Sequence, residues 1–187
     1  MCARCGTPTA WPVARCRECA GRRLAFAQAR AAVAYDEPVR RIVSAWKERG
    51  LRRLAPWAAQ LVADSLSVPP RADCLTFVPP DRERRLKRGH HPAEALAREL
   101  AIVWNLPLAR LVVRTRSAPP QRGLDHLSRR RNVRGAFAAD GRVPPRTVVV
   151  DDVYTTGATA NAVASSLRRG GARRVEILTF ARAIRVH

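Results

Sequence analysis

The sequence predicts an α/β domain on a central, mostly parallel sheet, preceded by a small cysteine knuckle. Three observations carry this expectation. Short apolar runs alternate with stretches of helical periodicity along the chain. A β-branched run, Thr147 to Val150, leads through two aspartates and a glycine-containing turn into a further helical stretch. Four of the five cysteines fall within the first 19 residues as two CxxC pairs. The 187 residues suit one domain of moderate size with an appendage.

Residues 1–22 hold Cys2, Cys5, Cys16 and Cys19 and little apolar periodicity, so this stretch needs a staple. In a cytosolic chain paired CxxC points to metal before disulfide. Four thiolates from two short loops suit tetrahedral zinc, and Gly6 follows the first pair as knuckle turns prefer. Four cysteine ligands leave no open position, so the zinc is expected to be structural. Neither pair precedes a thioredoxin-type helix, which disfavours a redox dithiol. Cys74 stands alone in an apolar run and is expected to be a small buried hydrophobe.

Residues 29–35 are expected to form a strand. A helix should start near Pro38 and run to Gly50, with Val39, Ile42, Val43 and Trp46 at helical spacing. Leu51 to Leu66 continues as a second helix, stopped by Pro69 and Pro70. Cys74 to Val78 is a short buried strand. Pro92 opens a helix to about Trp104, and Leu111 to Val113 is a candidate strand. The Pro-, Gly- and Arg-rich stretch from Thr115 to Arg134 is expected to be a long mobile segment. Thr147 to Val150 is a buried strand. Ala158 to Arg169 is a helix ended by Gly170-Gly171, and Val175 to Phe180 is the next strand.

The formal charge is +20, from 35 basic and 15 acidic residues. Such a field attracts polyanions. Only Lys47 and Lys87 are lysines, and Ala, Arg and Pro are abundant, so compositional bias explains the charge equally well. No apolar run is long enough to span a bilayer, and Cys and Arg stand where the apolar part of a signal peptide belongs, so a cytoplasmic location is expected.

The most informative stretch is TVVVDDVYTTGAT, residues 147–159. A buried strand ending at Val150 would deliver Asp151 and Asp152 to its carboxyl end, the edge where parallel α/β sheets bind ligands. Adjacent carboxylates repel unless a cation or hydroxyl donors use them; ribose hydroxyls and Mg²⁺ both qualify. The next turn, Thr155, Thr156, Gly157, Ala158 and Thr159, enters a helix N-terminus. Its small residues, hydroxyls and backbone amides suit a phosphate. A grip for a sugar beside a cradle for a phosphate describes a ribose 5-phosphate. Each part alone is a common strand, turn or N-cap; their order is what points to the ligand. No Walker GKS or GKT follows the glycine, and a single glycine does not make a Rossmann fingerprint.

This stretch resembles the PRPP-binding motif of type I phosphoribosyltransferases. Residues 34–47 (AYDEPVRRIVSAWK), 77–100, 121–137 and 147–181, with the N-terminal cysteines, are similar to the ComF family. That family comprises phosphoribosyltransferase-like proteins associated with DNA uptake in competent bacteria, and includes relatives of the gluconate-utilisation protein GntX. The resemblance implies a type I phosphoribosyltransferase fold over residues 23–187 behind a zinc-ribbon-like knuckle at 1–22. It implies Mg²⁺-PRPP as ligand, ribose hydroxyls on Asp151 and Asp152, and the 5′-phosphate on residues 155–159. Two departures stand out. The family's Arg-Gly-Phe-Asn-Gln is replaced by Arg88-Gly89-His90-His91-Pro92, and longer members carry further cysteines upstream, so the knuckle is expected to be a shortened one.

A PRPP-type ligand also carries a diphosphate. Arg82, Arg85, Lys87 and Arg88, in the turn after the Cys74 strand, are candidates to meet it, and the family's diphosphate loop falls near Val78 to Asp81. Arg130 and Arg131 are candidates for a lid. Each arginine is as readily a solvated surface residue. Lys47 matches a family lysine without a clear role. His90 and His91 lack zinc-site spacing and are expected to flank the helix start.

Three functions fit. A phosphoribosyltransferase would use Asp151 and Asp152 as its catalytic pair and release diphosphate to an unnamed acceptor, by positioning and electrostatic stabilisation. A non-catalytic relative would bind single-stranded DNA or DNA-uptake partners through its arginines, although 5% aromatic content offers bases few stacking surfaces. A regulator would use the pocket as an effector site for PRPP.

Overall fold

The computed structural model describes residues 1–66, 69–80, 89–115 and 135–184. Strands β1 (Gln28–Ala34), β2 (Cys74–Phe77), β5 (Arg146–Tyr154) and β6 (Arg174–Arg182) form one sheet in the order β1-β6-β5-β2. Every pairing in it is parallel, with Phe77 opposite Val150 and Val150 opposite Leu178. Helices α1 (Glu37–Glu48), α2 (Leu54–Asp64), α3 (Pro92–Trp104) and α4 (Ala158–Arg169) complete the α/β architecture expected from the sequence. Two short antiparallel strands, β3 (Val112–Arg114) and β4 (Phe137–Ala139), form a separate ribbon.

Both faces of the sheet are covered. Val148, Val150, Leu178 and Phe180 point to one face, with Val43 and Trp46 of α1, Ala58 and Val62 of α2, and Leu96 and Leu100 of α3. Val149, Val175 and Ile177 point to the other face, with Val163 and Leu167 of α4 and the four N-terminal cysteines. Burial on two sides explains why the central strands read as continuous apolar runs rather than alternating ones. Each fully buried Val, Leu or Phe contributes about 1.5–3 kcal/mol relative to exposure.

Helix starts follow local chemistry. Asp36 caps α1 by accepting from the Val39 amide at 3.0 Å. His91 caps α3: its Nδ1 accepts from the Glu94 amide at 3.3 Å, ahead of Pro92. His90 bonds through Nε2 to the Trp46 carbonyl. The two histidines thus flank the helix start, as their sequence position suggests. Cys74 is buried, as a small hydrophobe would be.

Two expectations need correction. β5 does not end at Val150; it continues through Asp151 and Asp152 to Tyr154, held by pairing with β6 up to Arg182. β4 was not anticipated, because three residues of FAA carry too little periodicity to mark a strand. The mobile segment expected for 115–134 lies outside the described residues from 116 onwards. No described helix is long and apolar enough to cross a membrane.

Candidate binding site and metal centre

Extending β5 past the aspartates has a geometric consequence. Successive strand residues point to opposite faces of a sheet. Asp151 therefore shares the α4 side with Val149, while Asp152 shares the α1 side with Val150. A solvent-open hollow of about 240 Å³ lies on the α4 side. It is lined by Asp151, Tyr154, Thr155, Gly157, Thr159 and Thr179, among others. Asp152 does not line it.

Asp152 instead meets Lys47 of α1, whose Nζ donates to Asp152 Oδ1 at 2.7 Å. The pair is largely shielded, with side-chain exposures of 26% for Lys47 and 14% for Asp152. Burial works against the Lys47 charge, but the Asp152 carboxylate outweighs it and holds the ammonium above its usual range. Lys47 is thus a site residue whose role the sequence left open. Burial, then the adjacent Asp152 charge, push the Asp151 carboxyl up to about 7. Lys47, the Asp152 amide and Arg114 pull it partly back. That amide donates to Asp151 Oδ1 at 2.9 Å, which leaves the other carboxylate oxygen for a ligand.

The turn after β5 is shaped by one glycine. Gly157 sits at the N-cap of α4 with φ +70°, a conformation L side chains rarely adopt. A Cβ there would fall 2.1 Å from the Tyr154 hydroxyl. Ala158, Thr159 and Ala160, the first residues of α4, line the hollow, and amides at a helix start have no intrahelical carbonyl to meet. Thr155 is exposed and Thr159 half-buried, both at the lining. Thr156 is buried and turned inward, its Oγ1 accepting from the Ala158 amide at 3.3 Å. Five consecutive residues form the turn, but of its threonines Thr155 and Thr159 line the hollow; Thr179 of β6 also lines it, with its hydroxyl donating to the Ala181 carbonyl. The carboxylate and the helix N-terminus therefore converge on one cavity.

The residues expected to meet a diphosphate, Arg82, Arg85, Lys87 and Arg88, and the lid candidates Arg130 and Arg131, lie outside the described residues.

Cys2, Cys5, Cys16 and Cys19 come together at the N-terminus, their sulfurs all within 4.8 Å of one another. Cys2 and Cys19 are 3.6 Å apart, and Cys5 and Cys16 3.4 Å. A tetrahedron of sulfurs at the usual zinc distance has edges of about 3.8 Å, so the cluster fits this ion. The Cys16 amide donates to Cys2 Sγ at 3.3 Å. Burial alone would raise the Cys2 thiol, but converging backbone amides bring it down to about 6, which favours a thiolate ligand. Burial pushes Cys5 up. Gly6 takes φ +75° where a Cβ would meet the Ala29 carbonyl oxygen at 2.5 Å, docking the knuckle against β1. The four cysteines could hold a zinc ion, closing all four of its positions.

Arg182 was not anticipated as a site residue. It is 4% exposed at the end of β6, where its guanidinium meets Glu18 Oε2 at 2.9 Å and the Cys5 carbonyl. It also stacks 4.4 Å from the centre of the Tyr154 ring. Its sequence neighbours carry no motif, so only the fold reveals it.

No family model matches the chain. It is similar along nearly its whole length to curated bacterial proteins. Competence protein F of Haemophilus influenzae is 28% identical over 97% of this chain and 84% of the relative. The DNA utilization protein YhgH is 27% identical in Salmonella typhimurium (98% of this chain, 85% of the relative) and 26% in Escherichia coli K12 (98% and 85%). Among solved structures, the allosteric regulatory enzyme of purine biosynthesis is similar at 22% identity and a TM-score of 0.46, over 68% of this chain and 25% of that one.

Proposed function

We propose that this chain, similar to Competence protein F along nearly its whole length, is a ComF-type protein that binds a phosphoribosyl diphosphate and transfers the phosphoribosyl group to an acceptor. One observation carries the reading: Asp151, Thr155, Thr159 and the N-terminus of α4 line the same hollow at the carboxyl end of β5. The helix N-terminus takes the 5′-phosphate through backbone amides and the Thr155 and Thr159 hydroxyls. Asp151 accepts a ribose hydroxyl. Lys47 engages Asp152, which stands behind the hollow and does not touch the sugar.

Magnesium fits this reading as a companion of the diphosphate. The Lys47–Asp152 pair occupies one carboxylate, so Asp151 would be the protein ligand near it. Bound there, Mg²⁺ would neutralise charge on a departing diphosphate. The chain's own part is to orient the ribose and to place the Asp151 carboxylate near the positive charge that develops on the sugar as the leaving group departs.

Isothermal titration with PRPP, with and without Mg²⁺, tests the reading. Saturable binding lost in Asp151→Asn supports it, and heat-silent titration of the folded protein rejects it. A second reading is a non-catalytic role in DNA uptake. The names of the relatives and the +20 charge favour it, and PRPP binding without diphosphate release over a panel of acceptors would shift the balance towards it.

A further inference from the structure

Among the described residues, three contacts tie the cysteine knuckle and the segment just after it to the back of the hollow, landing on Tyr154 at the end of β5, on Thr156 in the turn and on Asn161 in the first turn of α4. Arg182 bonds the knuckle at the Cys5 carbonyl, at Thr7 Oγ1 and at the Glu18 carboxylate, and its other flank lies against the Tyr154 ring. The Tyr154 hydroxyl in turn fills the space beside Gly157. Arg22 Nη1 bridges the Glu18 carbonyl and the Thr156 carbonyl, both at 3.2 Å. The Ala25 amide donates to Asn161 Oδ1 at 2.7 Å. Glu18 lies between Cys16 and Cys19, and Arg22 follows three residues after Cys19. The loop that supplies two sulfurs is thus the loop that holds the back of the Thr155–Thr159 turn.

Residues 1–22 have few apolar side chains apart from the cysteines, so their fold depends on whatever ties the four sulfurs together. We propose that the metal-loaded knuckle positions the Thr155–Thr159 turn, with Arg182, Tyr154 and Arg22 as positioning residues, so that zinc and a phosphoryl ligand bind in linkage. The ligand half rests on the reading of that turn as a phosphate cradle. Linkage is reciprocal: an ion that orders the turn raises affinity for the anion, and the anion slows loss of the ion by the same free energy. α2 lies across the sheet, away from the knuckle, and serves as the internal control.

Hydrogen exchange on the full-length zinc-loaded protein tests the coupling. The probe peptide covers 154–161 and the control peptide covers 54–64. Zinc removal by a chelator should speed exchange in the probe by about tenfold or more while the control holds its rate. Where zinc removal unfolds the control as well, Arg22→Gln decides, because it cuts one strut and leaves every cysteine in place. That variant should keep full zinc content and still exchange several-fold faster at 154–161. A purified chain without zinc, or a probe peptide indifferent to both zinc and Arg22→Gln, overturns the proposal. Ribose 5-phosphate should then slow chelator-driven zinc release several-fold in the parent and less in Arg22→Gln. A probe peptide that responds to zinc, in a protein that does not bind ribose 5-phosphate, keeps the strut and removes the phosphate reading instead. Ribose 5-phosphate that binds without altering zinc release overturns the linkage and leaves the binding site standing.

Discussion

Asp151 and Asp152 are neighbours in sequence with opposite effects on the fold. Among the described residues Asp151 forms no ion pair of its own, and burial beside Asp152 raises its carboxyl from 3.8 to about 7. A carboxyl raised on folding binds its proton more tightly in the native state, so stability falls as pH climbs from about 4 to about 7 and stays lowered above that. Asp151→Asn removes the liability. The variant should match the parent below pH 4 and exceed it by about 2–4 kcal/mol at pH 8, measured by urea unfolding across the pH range. Asp152→Asn should do the reverse. It strands the shielded Lys47 ammonium and is expected to cost about 1–3 kcal/mol at neutral pH. Equal responses in the two variants would contradict the geometry. The ligand should follow Asp151: an ionised carboxylate accepts a sugar hydroxyl more strongly than the neutral acid, so affinity should rise as pH passes through 7.

At the scale of the element, the turn from β5 into α4 depends on the absence of one side chain. Gly157→Ala would force a methyl group into the Tyr154 hydroxyl at a positive φ. The left-handed conformation alone costs an alanine about 1–2 kcal/mol, and the overlap adds to it. A thermal midpoint lowered by several degrees and ligand affinity lowered about tenfold are expected. A variant as stable and as tight-binding as the parent would show that the turn tolerates a Cβ and that its shape is not set by Tyr154. α4 illustrates a plainer rule. Its end at Arg169 and the glycines after it were legible in the sequence, because a C-cap needs only local chemistry.

For the whole molecule, charge and topology answer different questions. The +20 formal charge implies affinity for polyanions but does not place it. Trp11, on the knuckle, is 71% exposed and is one aromatic a base could stack on. In the DNA-uptake reading, binding of a labelled single-stranded oligonucleotide should weaken steeply with salt, by about 0.7 logarithmic units per phosphate contacted for each tenfold rise. That slope should be unchanged in Asp151→Asn, which removes no basic group. A salt-independent affinity would remove the polyanion role.

Much of the fold and part of the candidate site were legible in the sequence, because they rest on short-range rules. Apolar runs, proline starts, glycine stops and CxxC spacing act within a few residues, and among the described residues they marked the four sheet strands, four helices and the clustered cysteines. Only the tertiary structure decided how the pieces meet. Pairing with β6 carried β5 past Val150 and so turned Asp151 and Asp152 to opposite faces. Packing of α1 on the sheet brought Lys47 to Asp152 across 105 positions of chain. Closure of β6 against the knuckle set Arg182 between Cys5 and Tyr154. Contacts of that separation leave no local pattern, since a buried ion pair or a stacked arginine is specified by where two elements dock and not by the residues flanking either one.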